Sequence, residues 1–215
     1  MGRSDPQDAG VYQLRVVLRG ISPMIWRRLQ VRSDSTLADL HDVLQLSFGW
    51  EDMHLHCFEI RGREYGIYRD GGPLLRDARK VLLCDLKLRR QERFTYQYDF
   101  GDNWIHDLRI EAMLPIDAGK IYPCCLDGKR AGPPEDCGGP YNFMENRWQY
   151  ELIGGGDSRE ELEDLVDDLE DEDWEILREY HPEQFDRARL NRALARLASG
   201  SMQEARDEID DPGSD

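Results

Sequence analysis

No run in this 215-residue chain approaches eighteen apolar positions, so no membrane-spanning helix is expected. Met1–Gly10 has neither the basic nor the apolar region of a secretory leader. The chain has five cysteines and no CxxC pair, which provides neither a disulfide framework nor a complete thiolate cage. Five free thiols fit a reducing, cytoplasmic setting. A Walker phosphate loop, a GxSxG nucleophile elbow and an HExxH zinc helix are all missing. Asp99-Phe-Gly has the letters of the kinase magnesium triplet, but no glycine-rich loop, strand lysine or HRD loop accompanies it. Here the tripeptide joins two expected strands.

Positive charge is also in deficit. The formal net charge is −16, and it is unevenly placed. Asp157–Ile176 holds twelve acids and one base, and Ser201–Asp215 holds six acids and one base. The remainder of the chain is neutral. Between Ile60 and Arg93 there are ten bases against five acids, a local patch that includes Arg76, Arg79, Lys80, Arg89, Arg90 and Arg93. An acidic chain is repelled by a polyanion, so backbone-driven DNA binding is disfavoured, although this patch offers phosphate contacts.

What is present reads as α+β, with a mixed or antiparallel sheet that starts in a hairpin and carries a packed helix, followed by a helical C-terminal part. Residues 1–9 read as a disordered N-terminus, 10–198 as a single domain and 199–215 as a disordered acidic tail. Leu14, Val16 and Leu18 alternate with polar residues as in a half-buried strand. Ile25, Leu29 and Val31 form its expected hairpin partner. Leu37, Leu40, Leu44 and Phe48 share a helical face, with Thr36 and Asp39 as a capping pair and an end near Gly49. Further strands are expected over 54–60, 94–100 and 104–112, and a short helix over 81–90. Residues 115–140, rich in Pro, Gly and Cys, read as one long loop, and loops of that length are commonly functional. Ser158 and Glu161 form a capping-box pattern before Leu162, Leu165, Val166 and Leu169. Phe185, Asp186 and Leu190 read as staple, cap and staple partner of a last helix.

The candidate chemistry lies in His54, His56, Asp102 and His106. His54 and His56 are two apart on a strand and share its core face, and Asp102 and His106 share the face of Trp104, Leu108 and Ile110. Burying such groups is costly unless they are paired or bound, and imidazole with carboxylate is an ordinary zinc or iron donor set. These four are therefore expected to converge as metal ligands. In the 115–140 loop, Cys125 and Cys137 are the thiols placed to approach each other and join a metal site. Glu135 and Asp136, stiffened by Pro133-Pro134, are expected to contact ligand together with Asp99 and Trp104. The cofactor expected is zinc or another divalent metal. The bland alternative is a set of satisfied core histidines under a rigid Ω-type loop.

Tyr12-Gln-Leu-Arg-Val, Ile21-Ser-Pro-Met-Ile-Trp-Arg-Arg, Leu40-His-Asp-Val-Leu-Gln, Gly49-Trp, His54-Leu-His, Tyr98-Asp-Phe-Gly-Asp-Asn-Trp-Ile-His106, Pro133-Pro-Glu-Asp-Cys-Gly-Gly-Pro140 and Phe185-Asp together resemble the plasmid pRiA4b ORF-3-like family. The resemblance runs over about residues 10–198 and is most specific in the Tyr98–His106 and Pro133–Gly139 segments. It implies an α+β core with a hairpin, a helix on the sheet and a helical C-terminal part, and no established activity. Some relatives carry a resolvase label from mobile elements. A recombinase of that kind needs an activated serine with clustered arginines and a basic DNA-binding domain, whereas the C-terminal part here is acidic. Relatives often have a cysteine directly before Pro-Pro-Glu-Asp. This chain has Gly132 there, so it does not supply a three-cysteine loop site.

Three readings follow. The first is a metal- or small-ligand-binding accessory protein with an unidentified small-ligand or protein partner and no membrane. The second is a hydrolase-like, metal-assisted enzyme using the same pocket, with His54 or His106 as base. The third is a DNA-transaction protein of a mobile element, using the stretch around Arg89–Arg93.

Overall fold

The computed structural model describes residues 10–67, 75–153 and 180–210. Eight strands form one mixed sheet: β1 (Gly10–Leu18), β2 (Trp26–Arg32), β3 (His56–Ile60), β4 (Arg63–Gly66), β5 (Arg76–Asp77), β6 (Arg93–Tyr98), β7 (Trp104–Pro115) and β8 (Cys124–Lys129). Their order across the sheet is β5-β4-β3-β6-β7-β1-β2-β8, and every pairing is antiparallel except β4 with β5. Among the described residues, four α-helices accompany it: α1 (Leu37–Phe48), α2 (Gly139–Ile153), α3 (Arg187–Ala198) and α4 (Met202–Asp210). The architecture is α+β, with helices late in the chain. Among the described residues, no helix is long and apolar enough to cross a membrane.

The two faces of the sheet differ because its strands alternate. Leu14, Val16, Leu29, Val31, Phe58, Tyr96, Leu108 and Ile110 point to the inner face and are buried. The other face carries a charged lattice in which Arg28 and Arg109 pair with Glu111, and Arg19 with Asp107. Arg28 holds the Glu111 carboxyl at a pKa of about 2.

Helix α1 covers the inner face. Its N-terminus has the expected capping box: the Thr36 hydroxyl accepts from Asp39 N–H (3.0 Å), and the Asp39 carboxylate accepts from Thr36 N–H (2.7 Å). Gly49, at φ 75°, closes its C-terminus in the left-handed region. Arg27 secures this end. It is 2% exposed and donates to the carbonyls of Ser47 (2.8 Å), Trp26 (2.9 Å) and Lys129 (3.0 Å), with its guanidinium 4.0 Å from the Phe185 ring. One side chain thereby ties β2, the end of α1, β8 and the approach to α3 together. Burial pulls its pKa down to about 10, so it stays charged at neutral pH.

Three expectations change. The 115–140 loop contains β8, an edge strand whose Asp127 and Gly128 hide the apolar alternation. It is held by pairing with β2 and by the Asn191 side chain, which bonds both backbone polar groups of Cys125 (2.7 and 2.9 Å). The 81–90 segment forms only one 3-10 turn, Cys84–Leu86, closed by Lys87 at φ 47°. Within the acidic tail, Met202–Asp210 is helix α4, with Ala205 buried and Arg206 donating to the Glu51 carbonyl (2.6 Å). The expected last helix is α3, capped by the Asp186 side chain at Arg189 N–H. Residues 1–9, the acidic stretch Asp157–Ile176 with the Ser158/Glu161 box, and residues 211–215 lie outside the described residues.

Candidate metal centre

The Pro-Pro-Glu-Asp loop is fastened at both ends. Trp50, buried just past α1, donates its indole N–H to the Pro133 carbonyl (2.8 Å). At the other end the Asp102 carboxylate accepts from Gly138 N–H (3.0 Å). Gly139, at φ 80°, lies so close to the Asp102 backbone that a Cβ would come 2.3 Å from its carbonyl oxygen. Asp102 therefore positions the loop. Gly132 is equally constrained, since a Cβ there would meet the Phe48 carbonyl oxygen at 2.0 Å. On this backbone Gly132→Cys has no room for its side chain.

So fastened, the loop brings Glu135 and Asp136 over His54. His54 Nε2 lies 2.9 Å from Asp136 Oδ1, 3.7 Å from Glu135 Oε2 and 3.9 Å from Asp99 Oδ2. None of these contacts has hydrogen-bond alignment, although the nitrogen itself is buried. Ligand atoms of His54, Asp99 and Asp136 all fall within 4.8 Å of one another. Two of the carboxylates are oriented by their other oxygen. Asp99 Oδ1 accepts from Gly101 N–H (2.8 Å), and Glu135 Oε1 accepts from Glu51 N–H (2.9 Å) and the Tyr98 hydroxyl (2.9 Å). Orientation of ligand groups by a surrounding hydrogen-bond shell is the pattern of metal sites. Asp99 and Asp136 both sit at φ 53°, a left-handed conformation that aspartate tolerates but that costs about 1 kcal/mol or more. Burial raises the Glu135 carboxyl pKa, and the Asp136 charge adds to the effect. Three carboxylates around one imidazole repel each other unless a proton or a cation joins them.

The other expected ligands lie elsewhere. His56 is buried on β3 and clusters with His41 of α1 and Asp52, not with His54. His106 is one row deeper. Strand register aligns His56 with Tyr98 and Trp104, and Tyr96 with Phe58 and His106. Its ring packs among Phe48 (4.5 Å), Trp50 (5.3 Å) and Tyr96 (5.3 Å), and neither nitrogen has a hydrogen-bond partner among the described residues. Burial lowers its pKa to about 3, so it is a neutral core histidine. Trp104, 1% exposed, packs tilted against Trp50 with ring centroids 6.0 Å apart, as part of the wall.

The cysteines stay apart from both clusters. Cys125 Sγ faces the Asp127 carbonyl (3.3 Å) on β8, and none of the five cysteines is in a disulfide. Burial raises the Cys125 and Cys137 pKa values to about 11 and 12, which disfavours thiolate. Among the described residues, no cluster of three metal-ligating groups includes a cysteine, Asp102 or His106. Sequence reasoning missed Tyr98, His41 and Asp52. Tyr98 was visible only as a core-face aromatic. His41 and Asp52 meet because the α1 C-terminus turns back, and no spacing rule encodes that.

Comparisons with known proteins agree on kinship. The uncharacterized protein y4hQ of Sinorhizobium fredii is 38% identical over 141 residues, covering 64% of this chain and 71% of that protein. A crystal structure of a protein of unknown function from Methanosarcina mazei Go1, MM3350, has 36% sequence identity and a TM-score of 0.64, covering 84% of this chain and 97% of that one. The family model for plasmid pRiA4b ORF-3-like protein matches residues 10–193, and the chain belongs to that family.

Proposed function

We propose that this protein binds a divalent metal ion through His54, Asp99, Glu135 and Asp136, with Trp50, Tyr98 and Asp102 positioning the ligands. The observation that carries the reading is the approach of three carboxylates, from the β6–β7 turn and the Pro-Pro-Glu-Asp loop, to one imidazole nitrogen that has no aligned hydrogen bond. One nitrogen with carboxylate oxygens suits zinc, manganese or iron(II). A cation relieves the repulsion among the acids, and two of them already have one oxygen anchored, which limits the rearrangement that binding needs.

A second reading, metal-assisted hydrolysis, is favoured by exposure. The Asp136 side chain is 61% exposed, which leaves one side of the centre open to water or substrate. A bound metal would supply an activated water there. The nucleic-acid reading ranks last, since Arg61 pairs with Glu92, and Arg79 and Lys80 with Asp77, inside the basic stretch.

Isothermal titration of the chelator-stripped chain with zinc or manganese tests the metal reading. Binding at this centre is expected in the wild type and should weaken at least about 100-fold in His54→Ala or Asp136→Asn, about 2.7 kcal/mol. Equal heats in wild type and variants would refute it.

A further inference from the structure

We propose that His41, Asp52 and His56 form a second, inner site for a zinc-type divalent ion, separate from the His54 centre. One nitrogen from each imidazole and one Asp52 oxygen all lie within 4.8 Å of one another. The two rings stack with centroids 3.6 Å apart and planes 15° from parallel. His41 and His56 are 1% and 3% exposed. His41 Nε2 is 3.0 Å from Asp52 Oδ1. Ligand atoms in a tetrahedral zinc shell stand about 3.4 Å apart, given bonds of about 2.1 Å, so the widest pair closes by at most about 1.4 Å while the His41–Asp52 pair opens slightly.

The surroundings fix these ligands. His41 Nδ1 is 2.8 Å from the Tyr96 hydroxyl, which makes Nε2 the nitrogen that faces Asp52. Gln45 braces both partners: its amide N–H donates to the Tyr96 hydroxyl (2.9 Å) and its carbonyl accepts from Asp52 N–H (2.8 Å). Asp52 is held at φ 58°, outside the conformations most residues adopt. An imidazole oriented by a second hydrogen bond, a carboxylate on a braced backbone and local strain at one point are the marks of a prepared site.

The segment Asp52-Met-His54-Leu-His56 explains how two centres arise from one stretch of chain. Asp52 and His56 serve the inner cluster and His54 the outer one. Residues two apart on an extended chain are about 6.6 Å apart, so the sites are neighbours without sharing a ligand. The donor sets also differ. Two imidazoles and one carboxylate select zinc-type ions, whereas one imidazole among carboxylates also accepts manganese.

The test counts metal. The full chain is stripped with chelator, incubated with zinc, desalted and analysed by inductively coupled plasma mass spectrometry. The wild type is expected to retain two equivalents. Asp52→Asn, which keeps an acceptor for His41, and His41→Gln should each retain one equivalent, as should the His54→Ala/Asp136→Asn double variant. Melting curves of the apo variants identify any that fail to fold. Nitrogen-15 shifts of the His41 and His56 rings on zinc addition to the wild type give a readout that needs no variant. The inner site is overturned if the wild type retains no more than one equivalent and loses it with His54 and Asp136, or if these two rings do not shift. One equivalent lost with Asp52 but kept without His54 would instead uphold the inner site and overturn the outer one.

Discussion

His54 and His106 are the same side chain in opposite surroundings. His54 stands half-buried among Asp99, Glu135 and Asp136, with its Nε2 within 4 Å of all three. His106 is fully buried and packs against Phe48, Trp50 and Tyr96, and among the described residues neither of its nitrogens has a hydrogen-bond partner. The first environment favours a cation beside the imidazole. The second excludes charge altogether. One ring therefore reads as a ligand and the other as core, although both lie in stretches that carry the family resemblance.

The comparison sharpens when pH is changed. The His106 pKa is lowered to about 3, so the unfolded chain takes up a proton between pH 6.5 and 3 that the native chain refuses. Stability from this group is thus complete above about pH 6.5 and falls as pH drops, by up to about 4 kcal/mol at pH 3. Urea unfolding at stepped pH should show the loss in the wild type and a shallower slope in His106→Leu. At pH 7, His106→Ala should cost about 3 kcal/mol through the cavity it leaves, with zinc binding retained. An unchanged pH slope in His106→Leu would mean that the ring titrates normally and is not shut in the core.

A smaller effect separates the loop fastening from the ligands. Trp50→Phe keeps the aromatic stack with Tyr98 and Phe48 but leaves the Pro133 carbonyl without the indole donor. Destabilisation of about 1–2 kcal/mol is expected. Zinc affinity should fall as well, because Glu135 and Asp136 lose one of the two anchors that hold their loop. A variant that loses stability but keeps full affinity would show that Asp102 and the glycines hold the loop alone.

Much of this fold was legible because local rules were strong. Leu14, Val16 and Leu18, the Thr36/Asp39 box and the Asp186 cap each carry a pattern that tertiary contacts did not override. Strand β8 and helix α4 were missed for different reasons. Backbone pairing at a sheet edge leaves little side-chain pattern, and α4 is acidic along its length yet buries Ala205. The candidate site was half legible. His54, expected as a metal ligand, and Asp99, Glu135 and Asp136, expected as ligand contacts, come together in the structure, whereas the same-face argument also drew in His56 and His106. Alternation tells which side of a sheet a residue faces and not which row it occupies. Register placed His106 beside Tyr96, and the α1 turn recruited His41 and Asp52 to His56.

The most direct test of the central claim is the melting temperature of the apo chain with and without zinc, in the wild type and in the His54→Ala/Asp136→Asn variant. Binding to the native state alone stabilises by about 2.7 kcal/mol when the metal is at 100 times its dissociation constant. The account predicts a clear rise in the wild type, reversed by chelator and reduced in the variant, whose apo form melts within a few degrees of the wild type because both side chains reach solvent. Superimposable wild-type melts with zinc and with chelator would contradict it.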